Sequence, residues 1–422
     1  MCIRDRAIEQ LAPPAVVVIP MSMHFGAPCT PLVKAGDHVK VGQKIGEFHG
    51  LGAPIHASVS GTVKAVEPRP YSMGGNITSV VIENDMQDEV SEEVQAPADP
   101  NALSVEEMVE IVKNAGIVGM GGATFPTHVK ITSGIGKVNT VIINGAECEP
   151  YITGDHRTML ERPEEIIGGA KFLAKMFGVD KVVIGVEDNK RNGIDAMNKV
   201  IAEQKAPVVV EPLRCRYPQG GEKQLCQAIT GRQVPPGGLP ADIGCAVFNI
   251  NTTCAIYRAL TTGMPVVRKI VTVSGSGVVE PKNLECPIGT PVSSLLDACG
   301  GLKDGTYKLI AGGPMMGMAQ YTADISVAKG TGAILAFCEN EEKTVENPQC
   351  IRCGKCVSVC PMHLEPLFMY QYASKGMVEE LNDAHIMDCM ECGACSYICP
   401  ARMHLTHMFK TGKQLVKDKA AA

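Results

Sequence analysis

Cys350-Ile-Arg-Cys353-Gly-Lys-Cys356-Val-Ser-Val-Cys360-Pro361 and Cys389-Met-Glu-Cys392-Gly-Ala-Cys395-Ser-Tyr-Ile-Cys399-Pro400 are two copies of one pattern, and they use eight of the chain's 18 cysteines. Each copy is a Cys-x2-Cys-x2-Cys triplet followed by a Cys-Pro pair. This spacing wraps three thiolates around one iron–sulfur cube and hands the fourth cysteine to a second cube. The expected ligation is therefore crossed. Cys350, Cys353 and Cys356 join Cys399 around one [4Fe-4S] cluster, and Cys389, Cys392 and Cys395 join Cys360 around the other. A structural zinc site pairs two Cys-x2-Cys halves and would leave thiolates over in both copies. Disulfide scaffolds suit short secreted chains rather than one of 422 residues with 45% hydrophobic content.

Between Cys360 and Cys389, the spacing of Leu364, Leu367, Phe368, Tyr372, Met377, Val378 and Leu381 predicts two short helices packed around the clusters. Ile351, Val357, Val359, Ile386, Met390 and Ile398 are candidates for a dry shell over the sulfurs. Arg352 and Lys355 read as solvated surface, with tuning of a cluster as the alternative. Lys410, Lys413, Lys417 and Lys419 read as a solvated tail, with contact to anionic lipid as the alternative.

A chain of this length builds two or three cores rather than one. With no Trp, 44 Gly and 28 Pro, it is rich in tight turns and in sites made from backbone. The net charge of -6 provides no basic stripe, which excludes a general nucleic-acid binder. No apolar run reaches the roughly 20 residues that cross a bilayer. Met1–Arg6 leads into a proline-interrupted segment without a cleavage site, so no signal peptide is expected. Cys148, Cys215, Cys226, Cys245 and Cys254, scattered through the chain, fit a reducing cytoplasmic compartment.

Residues 20–82 alternate short apolar segments with Gly and Asp turns and predict a small β-rich domain. Its turns resemble those of biotinyl and lipoyl carriers, but no lysine lies between Phe48 and Ile55 to bear a prosthetic group. A rigid packing module is the expectation. Residues 83–102, acidic and then proline-containing, read as a solvated linker. Ser104 with Glu107 forms a capping box for a helix to Asn114. Strands at 138–143, 181–186 and 208–210 alternate with helices at 164–177 and 193–204, which predicts a parallel α/β domain over 103–262. Residues 263–338 read as a β-grasp-like domain, and a charged spacer at 339–346 leads to the two-cluster helical domain at 345–405. The fold class is thus α/β multidomain, with a ferredoxin-type C-terminal domain.

Gly116-Ile-Val-Gly119-Met-Gly121-Gly122-Ala-Thr-Phe125-Pro-Thr127 follows the capped helix, with Lys130 just beyond. Closely spaced glycines let backbone N–H groups approach a phosphate or a flat ring. The loop has neither the Gly-Lys-Ser/Thr ending of a Walker loop nor the strand-end Gly-x-Gly-x-x-Gly of a Rossmann fingerprint. Asn144-Gly-Ala-Glu147-Cys-Glu149-Pro-Tyr151 falls at the C-terminal end of a predicted parallel strand, where α/β domains hold ligands. Tyr217-Pro-Gln-Gly220-Gly221-Glu222 and Asn249-Ile-Asn251-Thr252-Thr253 add polar groups flanked by glycines.

Together with the cysteine repeats, these segments resemble the RnfC family of the ion-translocating NADH:ferredoxin oxidoreductase (Rnf) complexes, and the middle is similar to the flavin-bearing 51-kDa subunit of respiratory complex I. Val33-Lys-Ala-Gly-Asp37, Pro54-Ile-His-Ala57 and Ser60-Gly-Thr-Val63 carry the same likeness, which runs from Pro20 to Ala401. The family's glycine/histidine/proline-rich opening is not present before it.

The resemblance implies an FMN seat. Gly119, Gly121, Gly122 and Lys130 would surround the phosphate and ribityl chain. Asn144, Asn249, Asn251 and Thr252 would complete the pocket, Glu147 and Glu149 would lie near the ring and dinucleotide, and Phe125 would take the nicotinamide side. Tyr217, Gly220, Gly221 and Glu222 would form the other wall. Met120, Ala146 and Thr124 stand where the complex I relative has Arg, Asp and Gly, which bears on how flavin is seated. Other readings stay open: Glu147 and Glu149 as helix caps, Phe125 as a core aromatic, Asn249 and Asn251 as turn formers, Met315 and Met316 as packing.

The implied function is that of a peripheral electron-input subunit on the cytoplasmic face of a cell membrane. It would move electrons between NADH and ferredoxin through FMN and two [4Fe-4S] clusters, with integral-membrane and iron–sulfur subunits as partners. No amino-acid acid or base is required, since hydride passes directly to flavin. A flavin/iron–sulfur cobalamin reductase and a relay subunit without its own flavin are the alternatives.

Overall fold

The computed structural model describes residue 3, residues 5–339 and residues 345–421. Most of the charged spacer expected at 339–346 and part of Met1–Arg6 therefore lie outside the described residues.

Strand β1 (Ile8–Gln10) leaves the N-terminus for a distant sheet taken up below. Next come β2 (Val16–Pro20), β3 (Thr30–Pro31), β4 (His38–Val39), β5 (Lys44–Glu47), β6 (Ile55–His56), β7 (Gly61–Pro70) and β8 (Asn76–Asn84). They form two sheets, β2-β8-β7-β4 and β3-β5-β6, packed as a barrel sandwich. Alternation drives it: Val17, Ile19, Val63, Val80 and Ile82 point inward with Ile45 and Ile55 from the second sheet, and all are buried. The acidic segment at 83–102 is largely exposed, and it is tethered to the sandwich. Val90 bridges Val41, and the Lys40 ammonium pairs with Glu89 at 2.8 Å and Glu92 at 2.5 Å, so these carboxylates hold the segment along the sandwich.

Helix α1 (Val105–Asn114) starts at the Ser104–Glu107 capping box, with the Ser104 hydroxyl accepting from the Glu107 N–H and the Glu107 carboxylate from the Ser104 N–H. Then follow α2 (Thr127–Gly134), β9 (Thr140–Gly145), α3 (Gly154–Glu161), α4 (Pro163–Phe177), β10 (Val182–Glu187), α5 (Arg191–Gln204), β11 (Val208–Leu213), α6 (Glu222–Thr230), β12 (Cys245–Asn249) and α7 (Ile250–Thr262). The sheet is wholly parallel, in the order β11-β10-β9-β12. Successive residues of β9 serve opposite faces. Val141 and Ile143 join the large core with α4 and α7, and Ile142 joins Leu225 and Val247 beneath α6. Strand β12 has no counterpart in the sequence reading.

The third unit contains β13 (Arg268–Ser274), β14 (Lys282–Pro287), α8 (Val292–Ala298), β15 (Thr306–Ala311), β16 (Met318–Gln320) and β17 (Ala333–Cys338). Its mixed sheet runs β1-β14-β13-β17-β15-β16, with Val292, Leu295 and Leu296 of α8 filling its core. Strand β1 adds in parallel to β14, a pairing between segments too far apart for local pattern to reveal.

Helices α9 (Lys355–Ser358), α10 (Pro366–Ser374), α11 (Val378–Asp383), α12 (Ala394–Ile398) and α13 (Leu405–Ala421) complete the chain. Helices α10 and α11 answer the expectation of two helices between the repeats. The C-terminal lysines do not form a loose tail: α13 buries Phe409 and Val416 against Met369 and Leu381. Lys413 on that helix donates to the Cys389 carbonyl at 2.5 Å and pairs with Glu391 at 2.7 Å.

Candidate functional site

The eight repeat thiols ring two cavities, and the sets are crossed. One cavity is lined by Cys360, Cys389, Cys392 and Cys395, and the other by Cys350, Cys353, Cys356 and Cys399. Among the described residues no three Cys, His, Asp or Glu side chains gather closely enough for a single metal ion. Four thiols around each void are the donor set of a cubane cluster. Burial pushes the Cys389 thiol up to about 11 and the Cys395 thiol up to about 12, so iron binding there must displace protons.

The two cavities differ in exposure. Cys392 and Cys395 are buried beside Met369 and Phe409, whereas Cys350 and Cys353 are exposed. The dry shell expected over both is therefore one-sided. Ile386 is buried, but Ile351, Val357 and Ile398 are 66%, 40% and 36% exposed.

In the parallel sheet, β10 and β11 lie to one side of β9 and β12 to the other, so a crevice opens at the carboxyl ends of β9 and β12. Asn144 and Asn249 end these strands as register partners. The Asn144 amide donates to the Gly220 carbonyl at 2.8 Å, which brings the 217–222 segment to the same crevice.

The glycine loop crosses the start of α7. Met120 N–H donates to Thr252 Oγ1 at 2.9 Å, and the Met120 carbonyl accepts from the buried Lys269 at 3.1 Å. Gly121 and Gly122 are exposed; a Cβ on Gly121 would sit 3.4 Å from Asn249, and one on Gly122 would meet nothing within 4 Å. This open backbone floor above a helix N-terminus fits the phosphate and flat ring of a flavin nucleotide. Thr124, standing where the relative has Gly, adopts φ +49°, a left-handed conformation that a β-branched residue rarely takes. Met120 is buried, so the departure from Arg leaves the loop face uncharged at that position.

Asp155, which the sequence reading did not single out, organises the floor. It accepts from the Asn249 amide at 2.8 Å and the Asn251 amide at 2.5 Å. Burial raises its pKa, opposed by the Lys269 charge and the two amides. Lys269 is itself lowered by burial to about 8. Neither residue carries a local sequence signal, because Asp155 opens α3 and Lys269 lies in β13. Asn249 Oδ1 also accepts from Asn251 N–H and caps α7, so the turn-forming reading holds together with the pocket position.

Glu147 faces α3: its carboxylate accepts the Asp155 N–H at 2.6 Å and the His156 N–H at 3.2 Å. Burial, with the Asp155 charge beside it, pushes this carboxyl well above the usual range. It is the helix-capping alternative that the geometry displays. Tyr217 reaches the helical unit, its Oη donating to the Cys392 carbonyl at 2.6 Å, and Glu149 accepts from the Met315 and Met316 N–H groups of the third unit. Lys130 pairs with Glu222 at 2.8 Å and donates to the Val247 carbonyl at 3.0 Å. Phe125 packs 6.0 Å, ring to ring, from the exposed Phe25 of the sandwich. Gly220 lies against Cys148 and Asn144, and Gly221 against Met390.

Known families cover this architecture unit by unit. Residues 2–87 match the RnfC barrel sandwich hybrid domain, 112–258 the Nuo51 FMN-binding domain, 270–319 the SLBB domain and 343–400 a 4Fe-4S dicluster domain. Over 377 residues, 89% of this chain and 85% of the relative, it is 46% identical to the C-subunit of the Na(+)-translocating ferredoxin:NAD(+) oxidoreductase complex of Acetobacterium woodii. The chain belongs to the RnfC family of ion-translocating oxidoreductase complexes. Its identity to the proton-translocating counterpart of Clostridium ljungdahlii is 43% over 383 residues, 90% of this chain and 83% of that one. An NAD+-reducing [NiFe]-hydrogenase in the H2-reduced state shares the fold, at a TM-score of 0.52 and 18% identity over 75% of this chain and 64% of that one. This RnfC-family chain thus combines an FMN-binding domain with a two-cluster iron–sulfur domain, and no helix among the described residues is long and apolar enough to cross a membrane.

Proposed function

We propose that this chain is the peripheral electron-input subunit of its complex, exchanging electrons between NADH and ferredoxin by way of FMN and two [4Fe-4S] clusters. Membership of the family implies complex partners; integral-membrane and iron–sulfur subunits at the cytoplasmic membrane face are the finer reading. The observation that carries the proposal is one continuous path of contacts. The crevice at Asn144 and Asn249 is joined through Gly220 and Tyr217 to the cavity of Cys360, Cys389, Cys392 and Cys395.

The chemistry bound FMN supplies is conversion between a two-electron hydride and single electrons, which cubane clusters carry. The chain's residues bind and orient. Gly121 and Gly122 offer backbone to the phosphate, while Asn144, Asn249, Asn251 and Thr252 fix the floor. Lys130 with Glu222 closes one side, and Phe125 with Phe25 borders the approach for a planar ring. The buried cavity faces the flavin domain, and the exposed cavity, at Cys350 and Cys353, is the exit toward a partner.

Anaerobic reconstitution of the full chain tests this. The expected product holds FMN and about eight irons per chain, and NADH bleaches the cluster absorbance. Bleaching without bound flavin, or a flavin-free chain that takes electrons only from a partner, would overturn it.

A further inference from the structure

The Gly312-Gly-Pro-Met-Met-Gly317 loop between β15 and β16 is not used by the path above, yet it is wedged between the flavin domain and the cluster domain. On one side the Glu149 carboxylate accepts the backbone N–H groups of Met315 at 3.1 Å and Met316 at 3.0 Å. Gly313 is pressed onto the same carboxylate, since Glu149 Oε2 leaves no room for a Cβ there. On the other side the Met315 carbonyl approaches Gly393, where a Cβ would lie 2.6 Å away. Gly393 sits between the cluster ligands Cys392 and Cys395 at φ +77°. Tyr217 closes the ring, 3.4 Å from Glu149 Oε1 while donating to the Cys392 carbonyl.

We propose that Glu149, Tyr217 and the Met315–Met316 turn form a latch across three domains that holds the buried cluster against the flavin domain, with Glu149 and Tyr217 as positioning residues for electron transfer into that cluster. A fixed carboxylate near one cluster also sets its potential, because a neighbouring negative charge opposes the added electron. Among the described residues none of these latch contacts reaches Cys350, Cys353 or Cys356. The effect is therefore specific to one cluster. The inference rests on the function proposed above.

The experiment uses the full chain reconstituted anaerobically, with EPR-monitored redox titration at mildly alkaline pH. A C399A background isolates the buried cluster, and a C360A background the exposed one. Glu149→Gln is expected to move the buried cluster's midpoint positive and leave the exposed cluster unchanged. Tyr217→Phe, which keeps the ring, is expected to slow NADH-driven reduction of the buried cluster at full iron and flavin content. Gly393→Ala, which pushes on the Met315 carbonyl, is expected to lose iron from the buried set alone. Unchanged potential and rate in the first two variants, or equal shifts or iron loss in both clusters, would overturn the latch. Wild-type protein that fails to hold FMN or both clusters would instead sink the functional reading beneath it.

Discussion

The buried ammonium of Lys329 donates to the carbonyl of Gly116 at 2.7 Å, so the first residue of the glycine loop is anchored by a side chain from the β-grasp-like unit. The same ammonium holds the Pro54 carbonyl of the sandwich at 2.7 Å, which makes it a three-way tie. Burial lowers it to about 7 from 10.5, with the nearby Cys29 opposing.

Replacing it with Met leaves two buried carbonyls unpaired at about 1–3 kcal/mol each, partly offset by removing a costly buried charge. A net loss of about 2 kcal/mol is expected, read as a shift in urea midpoint together with lower FMN retention. Because the unfolded chain binds this proton up to pH 10.5 and the folded chain only to about 7, the Lys329 contribution to stability rises with pH across that window. Lys329→Met should remove that slope; an unchanged slope would assign it elsewhere.

A second tie has the opposite pH behaviour. Arg162, just before α4, grips Glu285 of β14 with both guanidinium nitrogens, and Gln10 of β1 joins them. Burial alone would raise the Glu285 carboxyl, but the Arg162 hydrogen bonds and charge win and hold it at about 2 instead of 4.5. A depressed carboxyl contributes stability that is complete above the unfolded value and lost as pH falls through the folded one. The loss should therefore run from pH 4.5 to about 2 and amount to about 3 kcal/mol. Arg162→Met should cost a similar amount at neutral pH by stranding the carboxylate, about 3–5 kcal/mol. Urea unfolding followed across the acid range checks both, and a variant as stable as wild type at neutral pH would refute the clamp.

How much of this could be read from sequence follows the range of each interaction. The capping box at Ser104 and Glu107 and the crossed cysteine sets were legible because local spacing encodes them. The glycine loop and the Asn144 strand end were legible because backbone chemistry restricts which residues can stand there, whereas the strand that Asn249 ends was not. Asp155, Lys269 and Lys329 were not, since each acquires its role from a partner brought near only by the fold. Strand β1 escaped for the same reason: Ile8–Gln10 finds its pairing partner in β14. The contact of Glu149 with a loop of the third domain was invisible to any local pattern, since Met315 and Met316 come near it only in the fold.

The crossed cysteine arrangement makes a prediction that paired substitutions can decide. Cys399 lines the cavity of Cys350, Cys353 and Cys356, and Cys360 that of Cys389, Cys392 and Cys395, so the trailing cysteine of each repeat lies with the other repeat's triplet. In a C350A/C399A double variant both changes fall on one cluster, and about four irons per chain should survive. In C350A/C360A they fall on different clusters, and iron should approach zero. Iron counting with EPR reads this directly. The reverse outcome would mean that each repeat closes on itself.

The cleanest separation of fold from cofactor binding is at Gly121. Its neighbour Gly122 has φ +119°, so any side chain there strains the backbone whatever its effect on ligand. Gly121 has no such constraint, and a methyl on it would rest 3.4 Å from Asn249, an ordinary contact. Gly121→Ala should thus leave apoprotein stability within about 0.5 kcal/mol. The added methyl projects onto the exposed floor where the flavin nucleotide must approach the backbone closely, and it should weaken FMN binding by at least about tenfold, or 1.4 kcal/mol. Fluorescence titration of FMN against the apoprotein, with thermal unfolding alongside, measures the two effects separately. Undiminished affinity in Gly121→Ala would place the nucleotide away from this loop, since no packing defect would be available to explain a tolerated methyl.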